Sequence, residues 1–451
     1  MALARSVPLV VLLLLGGALP DAARAHGRFP EAHQLVLHPT DDAILGVATT
    51  FGLVLTDDGG ASWRWVCRPV MGVQLTEDPP FRMLADGTIL GATFDGLSVG
   101  EPGGCAWAFA GEPLEGSVVI DAALAPDDPT VAYALTSDGG AENGVFRSDD
   151  GGASWAPTGP PVGAILFERI RVAPSDPERI YLSGVRPATV AEPERAGFVH
   201  RSEDGGASWE ELPFALGDGE RNVLLLGVDP ADPDTLYART VPQRERTDVP
   251  ERLIRSQDGG ATWETVLEVG EVTGLTFLGG VLHVGARPSP ADGRGGLWRA
   301  GEAGLEPIRD DLAIGCLEAR GGELWACAQN WADGFALGRS ADGGATFEPV
   351  LRFDEMIGPV ICPAGAEIEA ACEVADEDIE RDLLFADCGG YGDGGVPLDG
   401  ATCEDGGAGA DAGSGGGGGC AAGGGGGAGG GAGTAALALF GLATLGRRRR
   451  V

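Results

Sequence analysis

Short apolar runs, each closed off by proline-, glycine- and aspartate-rich turns, recur along most of this chain and predict strands rather than helices. Val118 to Leu124 and Val131 to Leu135 are one such pair, and Pro126-Asp127-Asp128-Pro129 lies between them as a hairpin turn. The same turn chemistry returns at Pro39-Thr40-Asp41, Pro174-Ser175-Asp176-Pro177 and Pro230-Ala231-Asp232-Pro233. A second turn follows twenty to thirty residues later. The octapeptide Thr56-Asp57-Asp58-Gly59-Gly60-Ala61-Ser62-Trp63 comes back as Ser148 to Trp155, Ser202 to Trp209, Ser256 to Trp263 and Ser340 to Phe347. Its paired glycines supply the positive φ angles of a tight hairpin. The carboxylates of Asp58, Asp150, Asp204, Asp258 and Asp342 are placed to accept hydrogen bonds from their own loops. The aromatics Trp63, Trp155, Trp209, Trp263 and Phe347 open the outgoing strand, where they can pack sideways on a neighbouring sheet.

One unit therefore reads as strand, Pro-Asp turn, strand, variable loop, strand, aspartate turn, strand. Weaker copies fill two gaps, Gly96-Leu97-Ser98-Val99 leading to Trp107 and Gly296-Leu297-Trp298-Arg299 leading to Pro307. The aromatic slot then advances in steps of 40 to 54 residues through seven units. A unit of that length cannot bury its own apolar face, so neighbours must stack. The expected fold is all-β: a seven-bladed β-propeller of four-stranded antiparallel blades. Tyr133, Tyr181 and Tyr237 share one slot in the second strand, which marks them as packing residues.

The Ser/Thr-x-Asp-Gly-Gly-Ala-Ser/Thr-Trp/Phe repeat resembles the BNR/Asp-box repeat of β-propellers, most closely the sortilin-type and photosystem II assembly-factor-type, over roughly residues 30 to 355. The resemblance implies fold rather than activity, because this fold hosts many functions. At the C-terminus, Cys420, the apolar stretch Thr434 to Gly446 and Arg447 to Arg450 resemble the MYXO-CTERM type of sorting signal. That resemblance implies processing or lipidation at Cys420 and attachment to the cell surface or outer membrane, or release from it. Residues 1–25 carry Arg5, an apolar core and Ala23-Arg24-Ala25, the layout of a secretory signal. The chain then divides into that signal, a propeller (26–355), a Cys-rich acidic module (356–403), a Gly/Asp-rich linker (404–419) and the terminal segment (420–451).

Charge narrows the choice of partners. All 31 basic residues are arginine, and the formal net charge is −36. Such a surface argues against nucleic acid and anionic lipid. Membrane contact is expected through the C-terminal segment alone, and a monomer is expected. Nine cysteines in an exported chain suggest four bridges and one left over, Cys420. Cys67 and Cys105 are expected to join adjacent blades, and Cys316 with Cys327 to close one hairpin. Cys362, Cys372, Cys388 and Cys403 are expected to staple the acidic module around a helix near 373–385.

Candidate chemistry is sparse. Sialidase-like enzymes carry similar boxes, and the likeness would imply an arginine triad, a tyrosine nucleophile and carboxylate partners. Here Arg147, Arg201, Arg255 and Arg339 stand in register before the box serine, as repeat residues would. Gly96-Leu97-Ser98-Val99-Gly100 has the spacing of a nucleophile elbow but lies in a strand with no following helix. The histidines His26, His33, His38, His200 and His283 have no ligand spacing, and the acids near Asp387 to Asp405 match no Ca²⁺ loop. No cofactor or metal is expected. The longest insertions lie between the second and third strands of units four and five, carrying Arg186, Glu194 and Arg195, then Arg244, Arg246 and Arg252. Insertions tend to gather on a functional face. The expected function is a non-enzymatic binding or assembly scaffold for a protein or glycan, with a glycoside hydrolase as the alternative.

Overall fold

The computed structural model describes residues 29–363 except 75 and 189–194, together with 368, 371–372, 391–392 and 396–397. Seven four-stranded antiparallel sheets are described, each made from one continuous segment with its strands in chain order. They span residues 32–67, 81–109, 119–157, 166–214, 220–269, 271–309 and 316–351, blades 1 to 7. Each blade's first strand lies beside the first strand of the next, and Cys316–Arg320 returns to Ala32–Leu37, which closes the ring. The expected propeller and blade count hold. In every blade the first and third turns, including the aspartate turns, emerge at one end of the ring. The loops between second and third strands emerge at the other.

The aspartate turns are built as their chemistry requires. Asp58 Oδ1 accepts from the Ser62 amide at 2.9 Å and from the Thr56 hydroxyl at 2.7 Å, while Oδ2 accepts from the Ser62 hydroxyl at 2.6 Å. The same set recurs at Asp150, Asp204, Asp258 and Asp342. These bonds hold the carboxyls low, Asp58 and Asp258 at about 2. The aromatics do reach the preceding blade: Trp63 Nε1 donates to Val350 O of blade 7 at 3.1 Å, and Trp263 meets Phe214 of blade 4 edge-on at 6.0 Å.

The inner edge of each first strand has no strand beyond it, so its backbone groups need other partners. Side chains supply them across the seams. Gln34 both donates to Phe81 O (2.8 Å) and accepts from Phe81 N (2.9 Å) between blades 1 and 2. Ser183 Oγ accepts from Leu225 N at 3.0 Å, Glu251 Oε2 accepts from Val272 N at 2.9 Å, and Thr273 donates to Ile314 O at 2.5 Å.

The seam between blades 7 and 1 joins the two ends of the ring and is closed differently. After blade 7 the chain crosses back and lies parallel to the last strand of blade 1, with a bridge between Pro359 and Trp65. Ile357 N donates to Trp63 O at 3.0 Å, Trp65 N to Gly358 O at 3.2 Å and Val360 N to Trp65 O at 3.0 Å. Two disulfides fix this latch, Cys67–Cys372 and Cys105–Cys362. The expected Cys67–Cys105 bridge is therefore corrected: each pairs with the returning segment, because that segment runs along the outer edge where both sit. Cys362 and Cys372 likewise staple the chain to the propeller rather than to each other's module. Cys316–Cys327 forms as expected, between directly opposed residues of blade 7's first hairpin. Cys388, Cys403, Cys420 and the expected helix at 373–385 lie outside the described residues, as does the whole C-terminal segment. Among the described residues no helix is long and apolar enough to cross a membrane.

Candidate functional site

The tyrosines and the repeat arginines pair with one another. Tyr133 faces Arg147 across the second and third strands, Tyr181 faces Arg201, and Tyr237 faces Arg255. Arg147 donates to the Tyr133 hydroxyl at 2.6 Å and to Asp149 at 2.7 Å, and Arg201 pairs with Glu210 at 2.6 Å. Arg339 sits opposite Trp325, its guanidinium 5.8 Å from the ring centroid. Burial raises the tyrosine hydroxyls, Tyr181 to about 12, which suits packing and not nucleophilic attack. Ser98 is buried in a strand and donates to Met71 O at 2.7 Å, so the elbow spacing has no catalytic geometry.

On the face opposite the aspartate turns, described residues of the blade 4 and blade 5 loops meet. Residues 187–195 and 243–250 are no longer than 328–336 of blade 7, because the expected extra length of blades 4 and 5 goes into their strands. Ala188 and Arg195 from blade 4, Gln243, Arg244 and Glu245 from blade 5, and the connection 216–221 line one cavity of about 730 Å³. Arg195 and Arg244 have no carboxylate partner among the described residues. The other expected loop arginines are already engaged. Arg252 holds Glu220 through both oxygens at 2.6 and 2.8 Å, and Arg246 pairs with Asp248 at 2.9 Å and Asp218 at 3.3 Å. Arg186 lies over Phe198 and pairs with Glu211 at 3.2 Å. Glu194 lies outside the described residues.

A second site, which the sequence reading did not single out, occupies the centre of the ring. A cavity of about 460 Å³ is lined by Arg82, Asp121, Arg169, Arg171, Arg239 and Glu318, with leucines from blades 5 and 6. Asp121 is fully enclosed. Its Oδ1 accepts from Arg82 (3.1 Å) and Ala122 N (2.9 Å), and its Oδ2 from Arg171 (2.7 Å) and Ile170 N (3.2 Å). Burial alone would raise its carboxyl, but Arg82, Arg171 and Arg169 hold it below the usual range. Glu318 behaves oppositely: burial pushes it up to about 7 against the pull of Arg82 and Arg171. Arg239 is neutralised by Glu251 at 3.0 Å and Glu271 at 3.3 Å. These positions carry no repeat signature; only their placement on inner strands, at alternate residues facing the axis, distinguishes them. Among the described residues no cluster of His, Cys, Asp and Glu has metal-binding geometry.

No protein-family model matches this chain, and no curated protein sequence matches it. Solved propellers do. An ancestral GH74 enzyme is 15% identical over 72% of this chain and 46% of its own, with a TM-score of 0.49. The GH74 xyloglucanase of Xanthomonas campestris is 13% identical, covers 74% of each chain and has a TM-score of 0.39. The extracellular domain of a one-component system from B. thetaiotaomicron is 11% identical over 70% of this chain and 39% of its own, at 0.46. The chain thus spans about half the length of the first of these, and the likeness is one of fold.

Proposed function

We propose that this protein is an exported, surface-anchored binding or assembly scaffold for a protein or glycan, working through the loop face opposite the aspartate turns. One observation carries the reading: Ala188 and Arg195 of blade 4 and Gln243, Arg244 and Glu245 of the adjacent blade 5 line a single cavity that presents Arg195 and Arg244 without carboxylate partners among the described residues. The three disulfides among the described residues support passage through an oxidising compartment. Anchoring would fall to the segment from Cys420 onward, with the propeller a monomer in contact with the membrane only through that tail.

The hydrolase alternative draws on the central cavity, where one carboxyl is held low and another high, the pattern of an acid and its partner. Asp121 argues against it, since both its oxygens are engaged and none of it is exposed. No tyrosine lines that cavity. The test shortens both loops, replacing 187–195 and 243–250 by tight turns, and compares glycan-array binding and cross-linked surface capture with the parent. Loss of capture at unchanged melting temperature is expected. Unchanged capture, or turnover of xyloglucan or a sialoside by the parent, would reject the reading.

A further inference from the structure

Arginines gather on the inner wall of the ring in a molecule that is acidic as a whole. Arg82, Arg169 and Arg171 line the central cavity, yet the only carboxylate that any of them pairs with among the described residues is Asp121, which Arg82 and Arg171 share. Arg169 donates one bond, from Nη1 to Glu168 O at 2.8 Å, and makes no ion pair among the described residues. Its Nε and Nη2 remain, the edge of a guanidinium that matches the two oxygens of a carboxylate. Asp78, which meets His33 at 3.8 Å, and Glu318 also line the cavity, and Glu168 lies within electrostatic reach of Arg169. Glu318 makes no hydrogen bond or ion pair among the described residues, and burial keeps it largely protonated below neutral pH. With Arg239 neutralised and Glu318 protonated, Arg82, Arg169 and Arg171 outnumber the lining carboxylates Asp121 and Asp78, inside a chain of net charge −36. Arg169 is half-buried, and an anion that pairs with a partly desolvated guanidinium is favoured. One sector of the wall is apolar: Leu224 and Leu226 from blade 5 and Leu275 from blade 6 line the same cavity, whose lining elsewhere includes His33, Gln34, Asp78 and Thr273. An inorganic anion would leave that apolar sector unused.

We infer that the central channel binds a small organic carboxylate, its charged end held at Arg169 beside the Arg82–Asp121–Arg171 cluster and its hydrocarbon body against the leucines of blades 5 and 6. This site is independent of the loop-face cavity and stands or falls separately from it.

The test is calorimetric titration at low ionic strength with succinate, its uncharged diamide and sulfate. Succinate is expected to bind at millimolar concentration or below, and the diamide not at all. Arg169→Gln should weaken succinate binding about ten-fold or more, the scale of charge-assisted hydrogen bonds. Glu318→Gln, which disturbs no hydrogen bond, should tighten it roughly two- to five-fold at pH 8 by removing a nearby like charge. Equal affinity for succinate and the diamide, no succinate binding, or undiminished binding by folded Arg169→Gln would overturn the proposal. Tighter binding of sulfate than of succinate would overturn the organic class, and should Arg169→Gln not fold, failure of Glu318→Gln to tighten binding does the same work.

Discussion

Glu318 and Asp58 are both carboxylic acids, and their surroundings move them apart. Asp58, in its turn, accepts three hydrogen bonds that favour the charged form, so what it contributes is present above the ordinary carboxyl range and lost as pH falls through about 2. Glu318 has no hydrogen bond among the described residues, and burial outweighs the attraction of Arg82 and Arg171. Its folded value of about 7 lies above the unfolded value of 4.5, so between those limits the folded state binds the extra proton. Stability from this residue therefore falls as pH rises through that window and is flat above it. Replacing Glu318 with Gln removes the fall. The melting temperature of Glu318→Gln should match the parent at pH 5 and exceed it at pH 8, read by calorimetry at both values. Glu251, also pushed to about 7, titrates in both proteins and cancels in the comparison. A gain of the same size at both pH values would mean that the substitution acts through packing instead.

Elements were legible in this chain wherever a backbone constraint forces a residue type. The five strong aspartate turns, the Pro-Asp turns and the tyrosine slot all stand where the repeat places them, because a positive φ or a fixed seam contact tolerates few alternatives. The channel charges were not legible. Arg82, Arg169, Arg171 and Glu318 sit at alternate positions of inner strands, and no period in the sequence separates a side chain facing the axis from one facing a seam. Arg195 and Arg244 were reached through loop length, but which of the loop arginines stay unpaired depends on Glu220, Asp218 and Glu211, supplied by other elements. The turns themselves offer a paired test. Gly343 and Gly344 both have positive φ, 75° and 97°. A methyl group on Gly343 meets nothing within 4 Å, whereas one on Gly344 would lie 2.1 Å from Leu297 of the preceding blade. Gly343→Ala should cost about 1 kcal/mol for backbone strain. Gly344→Ala should cost ~2–5 kcal/mol, because overpacking of the seam adds to that strain. Denaturant melts would decide it; equal costs would show that the second glycine serves the turn alone and not the contact between blades.

At the scale of the whole ring, every seam but one is crossed by the chain itself as it passes from the last strand of a blade to the first strand of the next. Blades 7 and 1 have no such connection, and no strand from one end of the chain completes a sheet at the other among the described residues. What closes them is the returning segment with its parallel bridge, the aromatic run Phe29, Trp331, Phe353 and Phe51 at 5.7, 6.0 and 5.1 Å, and two disulfides. Cys67–Cys372 and Cys105–Cys362 tie residues 305 and 257 apart, while Cys316–Cys327 ties residues 11 apart. In the chain-entropy account a closure of several hundred residues is worth about 5 kcal/mol, against about 3 kcal/mol for the short one. The two long bridges constrain overlapping loops, so the second adds less than the first. Replacing all four latch cysteines with serine should therefore lower the melting temperature well beyond the loss from the Cys316→Ser/Cys327→Ser pair. Hydrogen exchange should then show the outer strands of blades 1 and 7 opening before those of blades 3 to 5, because the ring parts where nothing but side chains and the returning strand still hold it. Opening that begins elsewhere, or equal losses from the two sets of variants, would mean that the noncovalent seam is sufficient and that the disulfides stabilise only the segment they end in.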